Sequence, residues 1–228
     1  EASRILHVVP VANLVLLTPS AEWRVSPNGG EALTPTTMSV RPQSYNGANN
    51  VTPAVVGNSI LFAQPSGRVR EMSYSWQANG YQSNDISILA PHLFDFYDIE
   101  DMAFCRAPHP VLWCVRSDGK LVALTYVAEQ QVAAWHQHDT DGEFEAVCAV
   151  AENNEDSLYA IVKRTINGAT KRYVERLHTR NFAALADAFF VDCGLTYSGA
   201  AATTIAGLDH LEGETVNILA DGAVVEPQ

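Results

Sequence analysis

Short apolar or alternating runs divided by turn residues recur along most of the chain, and they predict strand after strand. Ile5 to Val9, Leu14 to Leu17 and Glu22 to Val25 are separated by Pro10, Asn13 and Thr18 to Ser20, the spacing of an antiparallel meander. From Ser26 to Asn50 Pro, Gly, Asn, Ser and Thr dominate, which predicts an extended connection. A second unit follows, with strands predicted at Ala54 to Val56, Ser59 to Ala63, Val69 to Trp76 and Asp85 to Leu89. Gly57-Asn58 and Ser66-Gly67 stand where tight hairpins need residues tolerant of positive φ. Only Leu89 to Phe96 has helical spacing, and Pro91 suits the first turn of a short helix there.

The next unit has sharper edges. Asp101 to Arg106, Val111 to Arg116, Lys120 to Tyr126 and Ala133 to His138 predict strands, joined by Pro108-His109-Pro110, Ser117-Asp118-Gly119 and Ala128 to Gln131. Asp118-Gly119 is the strongest hairpin signal in the chain. A further unit runs through Glu145 to Val150, Ser157 to Lys163 and Lys171 to Leu177, with Asn167-Gly168 as a second strong hairpin and no obvious fourth strand. Units of about forty residues, each a meander of about four strands, are what propeller blades look like, because radial packing buries both faces of each sheet. The fold expected is therefore all-β: a β-propeller-like, partial arrangement of four-stranded antiparallel meanders. Neither a WD dipeptide nor kelch glycine pairs occur, and a β-sandwich is the alternative.

Residues 1–180 are thus expected to form a propeller-like β domain of about four blade-like units. Residues 181–228 are expected to form an acidic linker and the beginning of a second β module. In that last stretch there is no Lys or Arg, and Gly207 to Val224 reads as strand, Asp221-Gly222 turn, and the start of another strand. The chain opens Glu1-Ala2-Ser3 and stops at Val225 to Gln228 within a strand-like run, the pattern expected of a piece cut from a longer polypeptide.

Charge and cysteine content narrow the function classes. The 14 basic side chains face 26 acidic ones, a formal charge of −12, so wrapping nucleic acid by counterion release is not expected. The apolar opening Ile5 to Leu17 is interrupted by His7, Pro10 and Asn13, which excludes a signal peptide or membrane span there. Cys105, Cys114, Cys148 and Cys193 sit in apolar strand-like surroundings without metal-ligand spacing. They are expected to be buried free thiols of a reducing compartment; a cross-strand Cys105–Cys114 bridge is the alternative.

Candidate chemistry is sparse. His136, His138, Asp139 and Asp141 form HQHDTD, where two histidines two apart on a strand share a face and could hold one ion with a turn carboxylate. The competing reading is a strand end with hydrogen-bonded histidines, and it is the one adopted. Asp98, Glu100 and Asp101, and Glu143 with Glu145, are carboxylate groups of the kind a glycosidase uses, read here as solvated loop acids. Trp23, Trp76, Trp113 and Trp135 are expected in the core rather than on a sugar-binding platform. Lys163, Arg164, Lys171, Arg172, Arg176 and Arg180 surround the Asn167-Gly168 hairpin as a positive patch, read either as a solvated hairpin or as a surface suited to an acidic neighbouring subunit or a phosphate. Nucleophile elbows, P-loops and dinucleotide fingerprints are missing, so no enzyme, catalytic residue, cofactor or metal site is assigned.

Four segments together carry a resemblance: VTPAVVGNSILFAQPSGRVREMSYSWQANGYQSNDISILAPHLF, HPVLWCVRSDGKLVALTY, VAAWHQHDTDG and RTINGATKRYVERL. In this order, over roughly Ile5 to Leu177, they resemble the central region of bacteriophage and prophage tail proteins of the tail nozzle, or tail tubular protein B, type. That resemblance implies a non-enzymatic virion structural protein with a β-propeller platform. Its members form a homo-oligomeric six-fold ring with other tail proteins, continuing the channel through which DNA leaves the capsid. The expected location is the phage tail in the virion, and the bacterial cytoplasm during assembly. Transient passage of DNA without specific binding, and no membrane partner, go with it. A receptor-binding or glycan-degrading tail protein and a cellular propeller scaffold are the alternatives.

Overall fold

A computed structural model describes residues 3–30, 32–184, 188 and 191–225. The strands form successive antiparallel meanders. The first sheet contains β1 (His7–Pro10), β2 (Leu14–Leu17), β3 (Glu22–Pro27) and β4 (Met38–Ser44), hydrogen-bonded in chain order. The second contains β5 (Ala54–Val56), β6 (Ser59–Ala63), β7 (Val69–Ser75) and β8 (Gly80–Asp85), and the third β9 (Ile99–Cys105), β10 (Val111–Arg116), β11 (Leu121–Val127) and β12 (Val132–His138). The fourth sheet has three strands, β13 (Glu143–Glu152), β14 (Glu155–Ile166) and β15 (Ala169–Arg176). A separate hairpin, β16 (Ile218–Ala220) and β17 (Ala223–Val225), turns on Asp221-Gly222. The protein is all-β apart from 3-10 turns, and among the described residues no helix is long and apolar enough to cross a membrane.

Two expectations about the strands need correction. The predicted connection at 26–50 contains β4, whose alternation of Met38, Val40 and Pro42 with Ser39, Arg41 and Gln43 is concealed by its polar content. As an edge strand it tolerates Pro42, which has no N–H to offer a ladder. The last strand of the second sheet is the polar run Gly80–Asp85 rather than Asp85 to Leu89, because Tyr81 pairs with Tyr74 across the turn. Ile86 to Leu89 instead leads into the predicted short helix, which is a 3-10 turn at Pro91–Leu93.

Strand alternation explains how the sheets stack. Five successive side chains of β6 and six of β10 are buried, which a strand achieves only when both of its faces are covered. Ile60 and Phe62 of β6 join Val9, Val15 and Leu17 of the first sheet in one core, while Leu61 and Ala63 point the other way. Leu112 and Cys114 of β10 share that second core with Val122 and Leu124. Val111, Trp113 and Val115 face a third core with Val147, Leu158, Ala160 and Val162 of the fourth sheet. The four sheets therefore lie face to face in chain order. Each buried Val, Leu, Ile or Phe contributes roughly 1.5–3 kcal/mol.

Turns and connections brace this stack in a repeating way. The β2–β3 turn meets the chain leaving β4: Ala48 N–H donates to the Thr18 carbonyl, and a Cβ on Gly47 would lie 2.1 Å from the Pro19 carbonyl oxygen. The β6–β7 turn meets the chain leaving β8 in the same manner, since a Cβ on Gly67 would stand 1.9 Å from the Tyr97 carbonyl oxygen. At the β10–β11 turn a Cβ on Gly119 would come within 2.6 Å of Glu143 Cβ, and Phe144 N–H donates to the Gly119 carbonyl. All three glycines have φ between 75° and 79°, so both sterics and backbone conformation select them.

Candidate functional site

The HQHDTD segment lies at the outer edge of the third sheet, where β12 ends and the chain crosses to β13. His136 and His138 do share a face, as their spacing predicts, and their partners across the ladder are Ala123 and Leu121. They bond to each other, with His136 Nδ1 and His138 Nε2 2.7 Å apart. Trp113 packs against both rings at centroid distances of 6.1 and 5.0 Å. Burial is the main cause that lowers both imidazoles, with Arg180 adding to it, and His138 is brought down to about 4.

The two aspartates do not close a coordination sphere around this pair. Asp139 reaches Lys120 Nζ at 3.5 Å, and the Asp141 backbone carbonyl accepts from Arg164 Nη1 at 2.8 Å. Among the described residues no group of three or more His, Cys, Asp and Glu side chains comes together as a metal site would require.

Next to the histidines a cleft of about 60 Å³ opens between the third and fourth sheets, lined by Cys105, Pro108, His109, Trp113, Asp156 and Arg180 among others. Ligand pockets are typically several hundred Å³, so this one has room for a few waters. Burial pushes the Cys105 thiol up to about 11, the opposite of what a nucleophilic cysteine needs. A larger, open depression of about 410 Å³ lies beside the β14–β15 turn, lined by Asn167, Lys171, Tyr173, Asp209 and Glu212.

Three of the acidic side chains, Asp101, Glu143 and Glu145, have structural partners. Asp101 accepts from Met102 N–H and from Val147 N–H, so it ties the first strand of the third sheet to that of the fourth. Glu143 pairs with Lys163 at 2.6 Å, and Glu145 takes Arg172 in a two-pronged contact at 2.7 and 2.9 Å. The backbone of Asp98 meets the β10–β11 turn, its N–H donating to the Ser117 hydroxyl and its carbonyl accepting from the Ser117 N–H, while Glu100 is exposed on β9.

The positive patch is largely paired with carboxylates of the chain itself. Arg164 is 4% exposed and bonds both oxygens of Glu175, with Asp192 at 3.0 Å. Burial pushes the Asp192 carboxyl up, but bonds from Arg164 and Thr140 outweigh it and hold it below the usual range. Arg176 pairs with Glu152 at 2.7 Å and Glu155 at 3.8 Å. Lys171 and Arg180 form no ion pair among the described residues.

Tryptophans and cysteines divide. Trp113 is buried, Trp135 is partly buried with its Nε1–H donating to the Ile86 carbonyl at 2.8 Å, and Trp23 is half-buried. Trp76 is 84% exposed in the turn after β7, against the expectation of a core position. All four cysteines are free; Cys105 and Cys114 are buried on opposite faces of the third sheet, which rules out the cross-strand bridge. Cys148 is exposed and Cys193 half-buried, so burial holds for only two of the four.

Sequence reading missed three polar anchors. Arg116, the last residue of an apolar strand, is 5% exposed, forks onto Asp118, donates to the Leu93 carbonyl at 2.8 Å and lies 3.9 Å from the centre of the Tyr97 ring. Glu22, wholly buried in the first sheet, accepts from the Ser44 hydroxyl and the Asn46 N–H. Asp192 belongs to the acidic stretch yet docks on Arg164. Only Arg116 had a signal in sequence, a lone cation closing an otherwise apolar LWCV run.

Polar side chains both pair within sheets, as Glu145 does with Arg172, and join successive sheets, as Asp101 does with Val147 N–H. No protein-family model matches the chain, and no curated protein sequence matches it.

Proposed function

We propose that the chain is part of a non-enzymatic phage virion structural protein, a segment of the tail nozzle or hub that supports tail assembly along the DNA exit path. In this reading the stacked sheets are blades of a propeller-like platform. The observation that carries it is the face-to-face succession of four meanders in chain order, the first three each braced by a turn against the chain that leads to the next. A structural platform needs such rigidity and no reaction centre.

Charge supports the same reading. At −12 the chain offers duplex DNA few phosphate contacts to break as it slides, which suits a conduit or its surroundings. The pairing of Lys163, Arg164, Arg172 and Arg176 within the fourth sheet lowers that contact number further.

The glycan-degrading alternative needs tryptophan rings beside paired carboxylates in one groove. Trp76 is the one strongly exposed tryptophan, and it follows β7 of the second sheet, whereas Glu100 is on the third sheet and Glu143 and Glu145 on the fourth. That arrangement favours the structural reading.

The test is immunogold electron microscopy of phage particles induced from the organism that encodes the chain, with antibody raised against it and a deletion mutant as control. Label at the tail tip, with DNA leaking from particles that lack the protein, is the expected result. Particles that assemble normally and carry no label would overturn the virion reading in favour of a cellular scaffold.

A further inference from the structure

The fourth sheet is one strand short. β4, β8 and β12 hold the fourth place in the first three sheets, whereas the fourth sheet ends at β15. Leu177 N–H donates to the Leu158 carbonyl, and antiparallel alternation then turns the backbone groups of Lys171, Tyr173 and Glu175 to β14 and those of Thr170, Arg172, Val174 and Arg176 away from it. Among the described residues nothing bonds to these outward N–H and C=O groups.

Two other edge strands are protected against pairing. β4 carries Pro42, which offers no N–H. On β8 the Tyr81 N–H donates to Gln43 Oε1 at 2.7 Å, and the Ser83 carbonyl accepts from Arg70 Nη2 at 2.8 Å. β15 has neither device: it contains no proline, and its Arg172 and Arg176 side chains are drawn across the sheet to Glu145 and Glu152 of β13.

A strand that lacks a sheet lies within reach of this edge. β16 and β17 pair only with each other, and all their residues are exposed, Leu219 and Val224 by 64 and 72%. Two short strands alone are marginal in water. The segment just before them already meets the β14–β15 turn: Asn167 Nδ2 donates to Glu212 Oε1 at 3.4 Å, and Asp209 and Glu212 line the depression that also holds Lys171. Six residues separate Glu212 from Ile218, a reach of about 20 Å. The eight residues of β15 span about 26 Å. Charge agrees, since 181–228 contains no Lys or Arg to repel Lys171.

We infer that residues 216–220 of the same chain, β16 with the two residues before it, add to the β15 edge as the fourth strand of the fourth sheet. The contact of Asn167 with Glu212 tethers the chain's own strand beside that edge, and a strand from a second copy has no such tether. Nothing in this docking depends on the virion reading.

Amide hydrogen exchange followed by NMR on the full chain tests it, with Val174→Pro and Leu219→Pro as variants. Ala220 and Ala223 flank the two-residue turn as a bonded pair, so Leu219 N–H, like Val174 N–H, points away from its own hairpin. Each proline therefore spares its own ladder and removes only a group that docking needs. The Arg172 and Val174 amides are expected to exchange at least about tenfold faster in Leu219→Pro than in the parent chain, and the Leu219 amide likewise in Val174→Pro. Leu112 and Val122, in the core of the third sheet, should exchange alike in all three and so report that each is folded. Should Val174→Pro disturb those core amides, Leu219→Pro decides alone. Equal exchange of Arg172 and Val174 in the parent chain and Leu219→Pro would overturn the proposal, as would protection that sedimentation shows only in a dimer.

Discussion

His136 Nδ1 lies 2.7 Å from His138 Nε2, so two histidines of one strand are joined by a hydrogen bond that needs at least one neutral ring. Burial favours the neutral form of both, and His138 is brought down to about 4. In the unfolded chain histidines titrate near 6.5, so the unfolded state binds more protons as pH falls through that range. The pair therefore contributes its full stability above about pH 6.5 and loses it progressively towards pH 4. A loss of about 1–2 kcal/mol is expected, less than full linkage because solvent reaches the rings. Urea midpoints measured from pH 7 to pH 4 should show this fall, and a His138→Phe variant should show less of it.

Glycine substitutions separate close approach from backbone conformation. Gly67→Ala places a Cβ 1.9 Å from the Tyr97 carbonyl oxygen at a φ of +78°, whereas Gly57→Ala meets open space at +58°. We expect the first to cost about 2–4 kcal/mol and the second about 1 kcal/mol. Equal thermal midpoints for the two variants would contradict the bracing of the β6–β7 turn against the chain leaving β8.

Arg164 holds two carboxylates, Glu175 and Asp192, from a position 4% exposed. Arg164→Met leaves both unmatched and should destabilise by about 3–5 kcal/mol. Limited proteolysis should then cut around Asp192 faster than in the parent chain. Arg172→Met, at an exposed pair with Glu145, should leave the denaturation midpoint nearly unchanged.

Thiol reactivity should follow exposure. In the native chain at pH 8 Cys148 is expected to react first with a disulfide reagent, followed by the half-buried Cys193. Cys105 and Cys114 are buried, and burial pushes both thiols up, so they should react only on unfolding. Prompt reaction of either would mean that the third sheet's cores open readily.

Local chemistry along the chain was enough to locate most strands and hairpins. Val111–Arg116 falls where its apolar run predicts, and the Asp118-Gly119, Asn167-Gly168 and Asp221-Gly222 turns lie between the paired strands they announce. Side-chain period and the positive-φ tolerance of these residues are local properties, so they can be read residue by residue. Edge strands β4 and β8 escaped because a strand paired on one side needs less apolar content.

What the tertiary structure alone decided is which face meets which. Alternation assigns Leu112 and Trp113 to opposite sides of β10, but only packing sends one to the second sheet's core and the other to the fourth sheet's. The same holds for charge. Arg164, Arg172 and Arg176 form a positive patch in sequence, and the folded sheet brings Glu175 of β15 to Arg164 and, from β13 two strands away, Glu145 to Arg172 and Glu152 to Arg176. HQHDTD by itself determined that two histidines share a face; Trp113 beneath them and Lys120 beside Asp139 turned a candidate ligand set into a half-buried pair whose neutral form is favoured. Such partners lie on neighbouring strands, and pairing across strands depends on contacts that sequence spacing does not contain.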